Sequence, residues 1–479
     1  MSREYETVIG LEVHCELSTK TKIFCGCSTE FGGAPNTHVC PVCAGMPGTL
    51  PVLNRKVVDF ALAACLALNC HITQHCKFDR KNYFYPDLPK AYQISQLYLP
   101  IGRNGHVDIE TENGTKSIGI HEIHMEEDAG KLIHDQWDDT TIVDYNRCGV
   151  PLIEIVSEPD MRSADEVIAY LEKLRRTLQY LGVSDCRMQE GSIRADINLS
   201  VRPVGEEKLG TRTEMKNMNS FKAIARAIAA ETDRQIEVIE DGGSVTQETR
   251  RWDDNKGASY AMRSKEDAQD YRYFPDPDLP PVFISDEWIE KTKDAQPEFR
   301  EEKCARFVSQ YSLPEKDALL LTDSVRMADL FEETAKISKK PREAANWLMV
   351  EAMRLVKEQG DGDASKMDFS PAHLARLIDL LGQGTINRAG AREVFEHIFA
   401  EDVDPDSYIK DHGLAIENDS DALGKVIDQV IAANPKSVGD YKAGKKKAVG
   451  FLVGQTMKAM KGKADPAAVN KMIVSRLEK

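Results

Sequence analysis

The chain has 479 residues and a formal charge of −16, from 62 Lys and Arg against 78 Asp and Glu. At roughly 150 residues per domain that length implies about three domains, large enough to bury cores without disulfide staples. The acidic balance excludes a protein that coats nucleic acid over its whole surface, but not one with a local basic patch.

The opening MSREYETVIGLEVHCEL has no apolar signal-peptide core, and no apolar run reaches the roughly 20 residues of a membrane helix. A cytoplasmic protein with no membrane association is therefore expected. Within this stretch TVIGLEVHCEL alternates as a strand, with Ile9, Leu11, Val13, Cys15 and Leu17 on one face and Glu12, His14 and Glu16 on the other. Next comes KIFCGCSTEFGGAPNTHVCPVCAG, with cysteines in the pattern C-x-C-x12-C-x2-C. Eleven cysteines in a reducing compartment do not make a disulfide framework. Two close pairs on turn-forming residues instead match a zinc knuckle over 25–43, with Cys25, Cys27, Cys40 and Cys43 as four thiolate ligands and no open position, hence a structural ion. The other seven cysteines sit singly in apolar or mixed segments and read as small core residues.

NRKVVDFALAACLALN is a helix capped by Asn54. KFDRKNYFYPDLPK then sets Lys77, Arg80, Lys81 and Lys90 beside Tyr83, Phe84 and Tyr85, and IHEIHMEEDAG groups His121, Glu122, His124, Glu126, Glu127 and Asp128. GVPLIEIVSEPD places Glu154 inside an apolar run, where a carboxylate costs several kcal/mol unless paired or bound to a metal. SADEVIAYLEKLRRTLQYLG is an amphipathic helix with a Ser163–Glu166 capping box and Gly182 at its end. SIRADINLSVRP is a strand that sends Arg194, Asp196 and Asn198 to its polar face, and TRTEMKN alternates Arg212, Glu214 and Lys216. A further helix runs from a Ser220 cap to Gly242. QETRRW and DYRYF add Arg250, Arg251 and Arg272 before the proline-rich YRYFPDPDLPPVF closes the unit. No strict strand–helix alternation runs through this part, so it reads as α+β with a largely antiparallel sheet.

After about residue 296 the pattern is helical, including a helix with Ser370 as cap and Pro371 at its first position. DHGLAIENDSD marks a boundary before a last helical unit. From Lys436 to Lys479 there are eleven Lys and Arg and three Asp and Glu, so 11 − 3 gives +8 and the remainder carries −24. Lys442, Lys445, Lys446 and Lys447 precede an apolar helix, and Lys458, Lys461 and Lys463 follow it, as a phosphate-binding surface requires.

Carboxylates with one imidazole suit Mg²⁺ or Mn²⁺ rather than zinc, and interleaved basic residues suit phosphate oxygens. Together they point to phosphoryl transfer, which is largely positioning and charge neutralisation. The chain has no G-x-x-x-x-G-K-[ST] and no Gly-rich dinucleotide loop, so a nucleotide site would be of the sheet-and-metal type. The rival readings are a free-standing carboxylate–amine ligase and a non-catalytic nucleic-acid-binding or assembly subunit. The basic tail counts against the first and the clustered carboxylates against the second.

The motifs YETVIGLEVHCEL, KFDRKNYFYPDLPKAYQISQ, HMEEDAGK, GVPLIEIVSEPD, QETRRWDD, DYRYFPDPDLPP and KKKAVGFLVGQTMKA closely resemble the B subunits of tRNA-dependent amidotransferases over nearly the whole chain. The resemblance implies a glutamine-synthetase-like cradle domain over 1–295, a helical domain over 296–405 and a tRNA-binding helical tail over 406–479. It implies ATP-dependent amidation of misacylated Glu-tRNA(Gln) or Asp-tRNA(Asn), in a heterotrimer with a glutaminase subunit, which delivers ammonia, and a small bracing subunit. By motif it assigns His14, Glu127 and Glu154 to one Mg²⁺. Glu12 and Asp196, with Glu214, go to a second cation or the ATP. Lys81, Arg212 and Arg251 are the nucleotide-contacting residues expected, and Lys445, Lys446 and Lys447 are expected to bind tRNA. Strand alternation leaves Glu126 and Glu127 open, since the strand is expected to end in that acidic turn; the resemblance selects Glu127.

Overall fold

A computed structural model describes residues 4–134, 140–264, 271–359, 362–416, 420–460, 464 and 466–478. The chain divides into two compact units, Met1–Phe299 and Arg300–Lys479.

The first unit is α+β. Its main sheet has nine strands: β1 (Tyr5–Glu16), β2 (His71–Ile72), β3 (Gly102–Thr111), β4 (Gly114–Glu127), β5 (Pro151–Ser157), β6 (Ile193–Pro203), β7 (Thr213–Lys216), β8 (Glu248–Asp253) and β9 (Ala258–Ser264). Their order is β9-β8-β7-β6-β1-β5-β4-β3-β2. Every pairing is antiparallel except β7 with β8.

Period-two alternation on β1 buries Ile9, Leu11, Val13 and Cys15 in one core with Ile153 and Ile155 of β5 and Ile197 and Leu199 of β6. Three helices contribute to that core: α1 (Arg55–Ala67), α2 (Ala164–Tyr180) and α3 (Phe221–Glu240). Their caps are the expected ones, with the side chains of Asn54, Ser163 and Ser220 accepting from backbone N–H groups in the first turns. The box at α2 closes one residue early. Glu166 accepts from the Arg162 N–H at 2.6 Å rather than from Ser163, because its carboxylate is also drawn to Lys116. Gly182 ends α2 at φ +66, a conformation that a β-carbon disfavours. A three-stranded sheet of Asp79–Asn82, Tyr92–Ser95 and Arg272–Pro275 brings side chains to the end of β4. The unit closes beyond the proline-rich segment with α4 (Asp286–Asp294), where the Trp288 indole donates to Asp59 of α1 at 2.9 Å.

The second unit is helical throughout its described residues. It holds two separate apolar cores. One runs from Cys304 to Ile409, around Phe307, Phe331, Trp347 and Phe395; the other joins Leu423, Ile427, Leu452, Val469 and Ile473. Ile409 belongs to the first core, so that core reaches past the boundary drawn at 405. The seven cysteines outside the quartet are all buried. No helix among the described residues is long and apolar enough to cross a membrane.

Candidate functional site

The polar face of the main sheet collects even-numbered residues of β1, β4, β5, β6 and β7 and odd-numbered residues of β8. Across β1 and β5 His14 lies opposite Glu154, and across β5 and β4 Glu154 lies opposite His124. Across β1 and β6 Glu12 faces Asp196 and His14 faces Arg194; across β6 and β7 Asn198 faces Glu214. Lys216 then pairs with Arg251 of β8. Since a strand sends alternate side chains to opposite faces, this register gathers acids and bases from six strands on one surface.

Two clusters of possible cation ligands result. In the first, one donor atom each of His14, Glu126 and Glu154 lie within 4.8 Å of one another. His14 Nε2 is 3.5 Å from Glu126 Oε1 and 3.5 Å from Glu154 Oε2, beyond an ordinary hydrogen bond. Burial disfavours the imidazolium of His14, but the neighbouring Glu154 carboxylate, with Glu126 after it, holds the ring up to about 9. Glu154 is pushed the other way. Burial favours its neutral form, and His124 and His14 outweigh that to hold its carboxyl well below the usual range.

The strand ends at Glu127, in the acidic turn as expected, and alternation along it places Glu126 rather than Glu127 beside His14 and Glu154. Glu127 accepts instead from the Lys90 ammonium at 2.5 Å and, in a buried contact, from the Ile94 N–H at 2.9 Å.

The second cluster is Glu12, Asp196 and Glu214, also within 4.8 Å. Lys216 bridges two of them, with Nζ 2.6 Å from Asp196 and 2.7 Å from Glu214. The Asn198 amide donates to Glu12 at 2.9 Å and the Thr249 hydroxyl to Glu214 at 2.7 Å. Burial, then the charge of Glu154, raise the Glu12 carboxyl above its ordinary value.

A third group is separate. Cys25, Cys27, Cys40 and Cys43 bring four sulfurs within 4.8 Å of one another, none of them in a disulfide. Four soft donors at such spacing fit a tetrahedral thiolate site. Lys22, with a relative exposure of 0%, places its ammonium 3.6 Å from Cys43 Sγ and donates to the carbonyls of His38 and Tyr145. Hydrogen bonding from Cys25, aided by the Cys40 N–H and Lys22, lowers the Cys43 thiol to about 4.

Residues 7–290 match the GatB/GatE catalytic domain family, and residues 329–477 match the GatB domain family. The chain belongs to the GatB family. It is 66% identical over 475 residues to the B subunit of the aspartyl/glutamyl-tRNA(Asn/Gln) amidotransferase of Lachnoclostridium phytofermentans, covering 99% of both chains. The protein of that name from Agathobacter rectalis is likewise 66% identical over 475 residues, covering 99% of this chain and all of the relative. That from Lachnospira eligens is 64% identical over 482 residues, covering 99% of this chain and all of the relative.

In this GatB-family chain the remaining expected site residues fall in different places. Lys81, on the strand Asp79–Asn82, holds its ammonium 5.0 Å from the ring centre of Tyr271 and 5.8 Å from that of Tyr83; burial opposes its charge, and Tyr273, Glu126 and Glu154 restore it. Arg212 is exposed just before β7, and Arg251 is exposed on β8. Neither touches the two clusters. Lys445, Lys446 and Lys447 are exposed between two helices of the second unit, Lys445 pairing with Asp440 at 3.0 Å. Lys461 and Lys463 lie outside the described residues. Sequence reasoning gave no role to His124, although its spacing of two from Glu126 already puts both on one face. Nothing in the sequence singles out Lys22, whose partners come from residues 16 and 123 positions away.

Proposed function

We propose that the polar face of the sheet is where ATP and the aminoacyl end of a misacylated tRNA react, in the ATP-dependent amidation of Glu-tRNA(Gln) or Asp-tRNA(Asn). The observation that carries this reading is the alignment of His14, Glu154, Glu126, Glu12 and Asp196 on one face by strand register, in a chain of the GatB family.

A side-chain carboxylate is a poor acyl donor. Its oxygen attacks the γ-phosphorus of ATP, ADP leaves, and ammonia then displaces phosphate from the acyl carbon to form the amide. His14, Glu126 and Glu154 present one nitrogen and two oxygen donors to a common point, a set suited to Mg²⁺, which when bound supplies charge neutralisation at phosphate oxygens. Lys81 contributes a charged ammonium beside that cluster. Glu12, Asp196 and Glu214, with Lys216, serve the ATP or a second cation. Arg251, and Arg212 farther out, extend the basic rim toward the nucleotide. The glutamine-synthetase-like cradle is thus the sheet unit. A glutaminase partner supplies ammonia, and a small third partner braces the pair. Cys25, Cys27, Cys40 and Cys43 hold a structural Zn²⁺ that shapes the connection between β1 and α1.

The proton balance gives a direct check. A metal ligand must be neutral imidazole, and His14 is held up to about 9 without metal. Binding Mg²⁺ at pH 7 should therefore release a proton, and affinity should strengthen as pH rises toward about 9. Calorimetric titration in buffers of different ionisation enthalpy measures the release.

The tail is the tRNA-binding part. Converting Lys445, Lys446 and Lys447 together to Ala should weaken tRNA binding and flatten the slope of log affinity against log salt by about 2–3. It should raise the apparent KM for tRNA far more than it lowers kcat. A salt titration yielding the wild-type slope would show that these lysines only solvate the helix. The substrate itself is tested by co-purifying the chain with its partner subunits and assaying amide formation on Glu-tRNA(Gln) and Asp-tRNA(Asn). Activity on neither would overturn the reading.

A further inference from the structure

Glu154 stands between two imidazoles on three adjacent strands, His14 on β1 and His124 on β4. The two contacts differ in kind. His124 Nε2 is 2.8 Å from Glu154 Oε2, a hydrogen-bond distance, whereas His14 Nε2 is 3.5 Å from that oxygen. The other carboxylate is held in the same way. Glu126 turns Oε1 toward His14 and Oε2 toward His124 at 3.6 Å, with the Ser95 hydroxyl donating to that second oxygen at 3.3 Å. His124 thus reaches both carboxylates, sharing Oε2 of Glu154 with His14 and taking the other oxygen of Glu126. Only 10% of the His124 side chain is accessible, and its Nδ1 has no hydrogen-bond partner, the nearest carboxylate being Glu122 at 3.8 Å. A buried polar ring that leaves one nitrogen unsatisfied costs stability.

We infer that His124 is a positioning residue: its Nε2–H fixes the directions and spacing of Glu154 and Glu126, so that with His14 they form a divalent-cation site of set geometry. The inference rests on the proposed assignment of that cluster to a divalent cation. Outer partners of this type orient a carboxylate ligand and restrict its rotamers before the ion arrives, and their loss typically weakens metal binding by about 10–100-fold.

The test uses Mn²⁺ as a spectroscopic probe, measured by electron paramagnetic resonance on the full chain without nucleotide or tRNA. His124→Leu should weaken Mn²⁺ binding by about 10–100-fold. His124→Gln, whose amide nitrogen can occupy the place of Nε2, should recover most of the affinity. In the assembled enzyme, His124→Leu should raise the Mg²⁺ concentration needed for half-maximal amide formation and leave kcat at saturating Mg²⁺ much less affected. If His124→Leu does not fold, His124→Gln against His124→Asn makes the same comparison, because Asn cannot reach the Nε2 position. Wild-type affinity in folded His124→Leu, alongside lost binding in Glu154→Gln, would overturn the role of His124 alone. Unchanged affinity in both would overturn the metal assignment and this inference with it. Weak binding in His124→Leu that Gln fails to restore would reduce His124 to a packing residue and overturn the inference as well.

Discussion

Replacing Glu154 by Ala should abolish amide formation, lowering kcat/KM by on the order of 10³-fold or more, while the partner's glutamine hydrolysis continues. Glu154 is the central strand's contribution to the first cluster, flanked across both neighbouring strands by His14 and His124. Its removal takes away a ligand and also leaves two imidazoles, held up to about 9 and about 10 by Glu154 together with Glu126, beside a single carboxylate. For both rings burial opposes the charge, so each should fall back toward neutrality without Glu154. Histidine titration by NMR would show that shift in folded protein. The two neighbouring glutamates should separate by mechanism. Glu126→Gln should raise the Mg²⁺ requirement, whereas Glu127→Gln should chiefly disturb the Lys90 pairing on the other side of the strand. Near-normal amide formation by Glu154→Ala would refute the assignment.

Removing zinc should be the other large effect. The segment between β1 and α1 has no regular strand or helix of its own, only turns and an isolated bridge between Thr21 and Ser28. Four convergent thiols would repel one another as thiolates without a cation, and Lys22 neutralises only part of that charge. Elemental analysis should find about one zinc per chain. Cys43→Ser, or a strong chelator, should release it and lower the unfolding midpoint of the first unit by about 5 °C or more. Fully folded, metal-free protein with four freely titrating thiols and an unchanged midpoint would rule the site out.

Much of this was legible because period two is a strong signal. The alternation of β1 predicted both its buried face and the line of Glu12, His14 and Glu16, and the caps of α1, α2 and α3 followed from single residues whose side chains satisfy first-turn N–H groups. The cysteine quartet was readable from spacing alone, and the four sulfurs do converge. What stayed open was local. Alternation alone could not choose between Glu126 and Glu127 in an acidic turn where the strand ends, and it is the pairing of β4 with β5 through Glu127 that places Glu126 beside His14 and Glu154. A one-residue shift of register would reverse which carboxylate faces the cluster. Lys22, Lys90 and the bridging role of Lys216 were not readable because their partners are set by tertiary packing, as with Lys90 and Glu127, 37 positions apart.

The central claim is that this chain couples ATP cleavage to activation of a tRNA-borne carboxylate. The most direct measurement is ADP formation from ATP by the assembled enzyme, with glutamine and free ammonia withheld. The account predicts ADP formation that depends on Glu-tRNA(Gln) or Asp-tRNA(Asn), is absent with uncharged tRNA, and is lost in Glu154→Ala. ATP cleavage indifferent to the charged tRNA, or amide formed without any ATP cleavage, would contradict it.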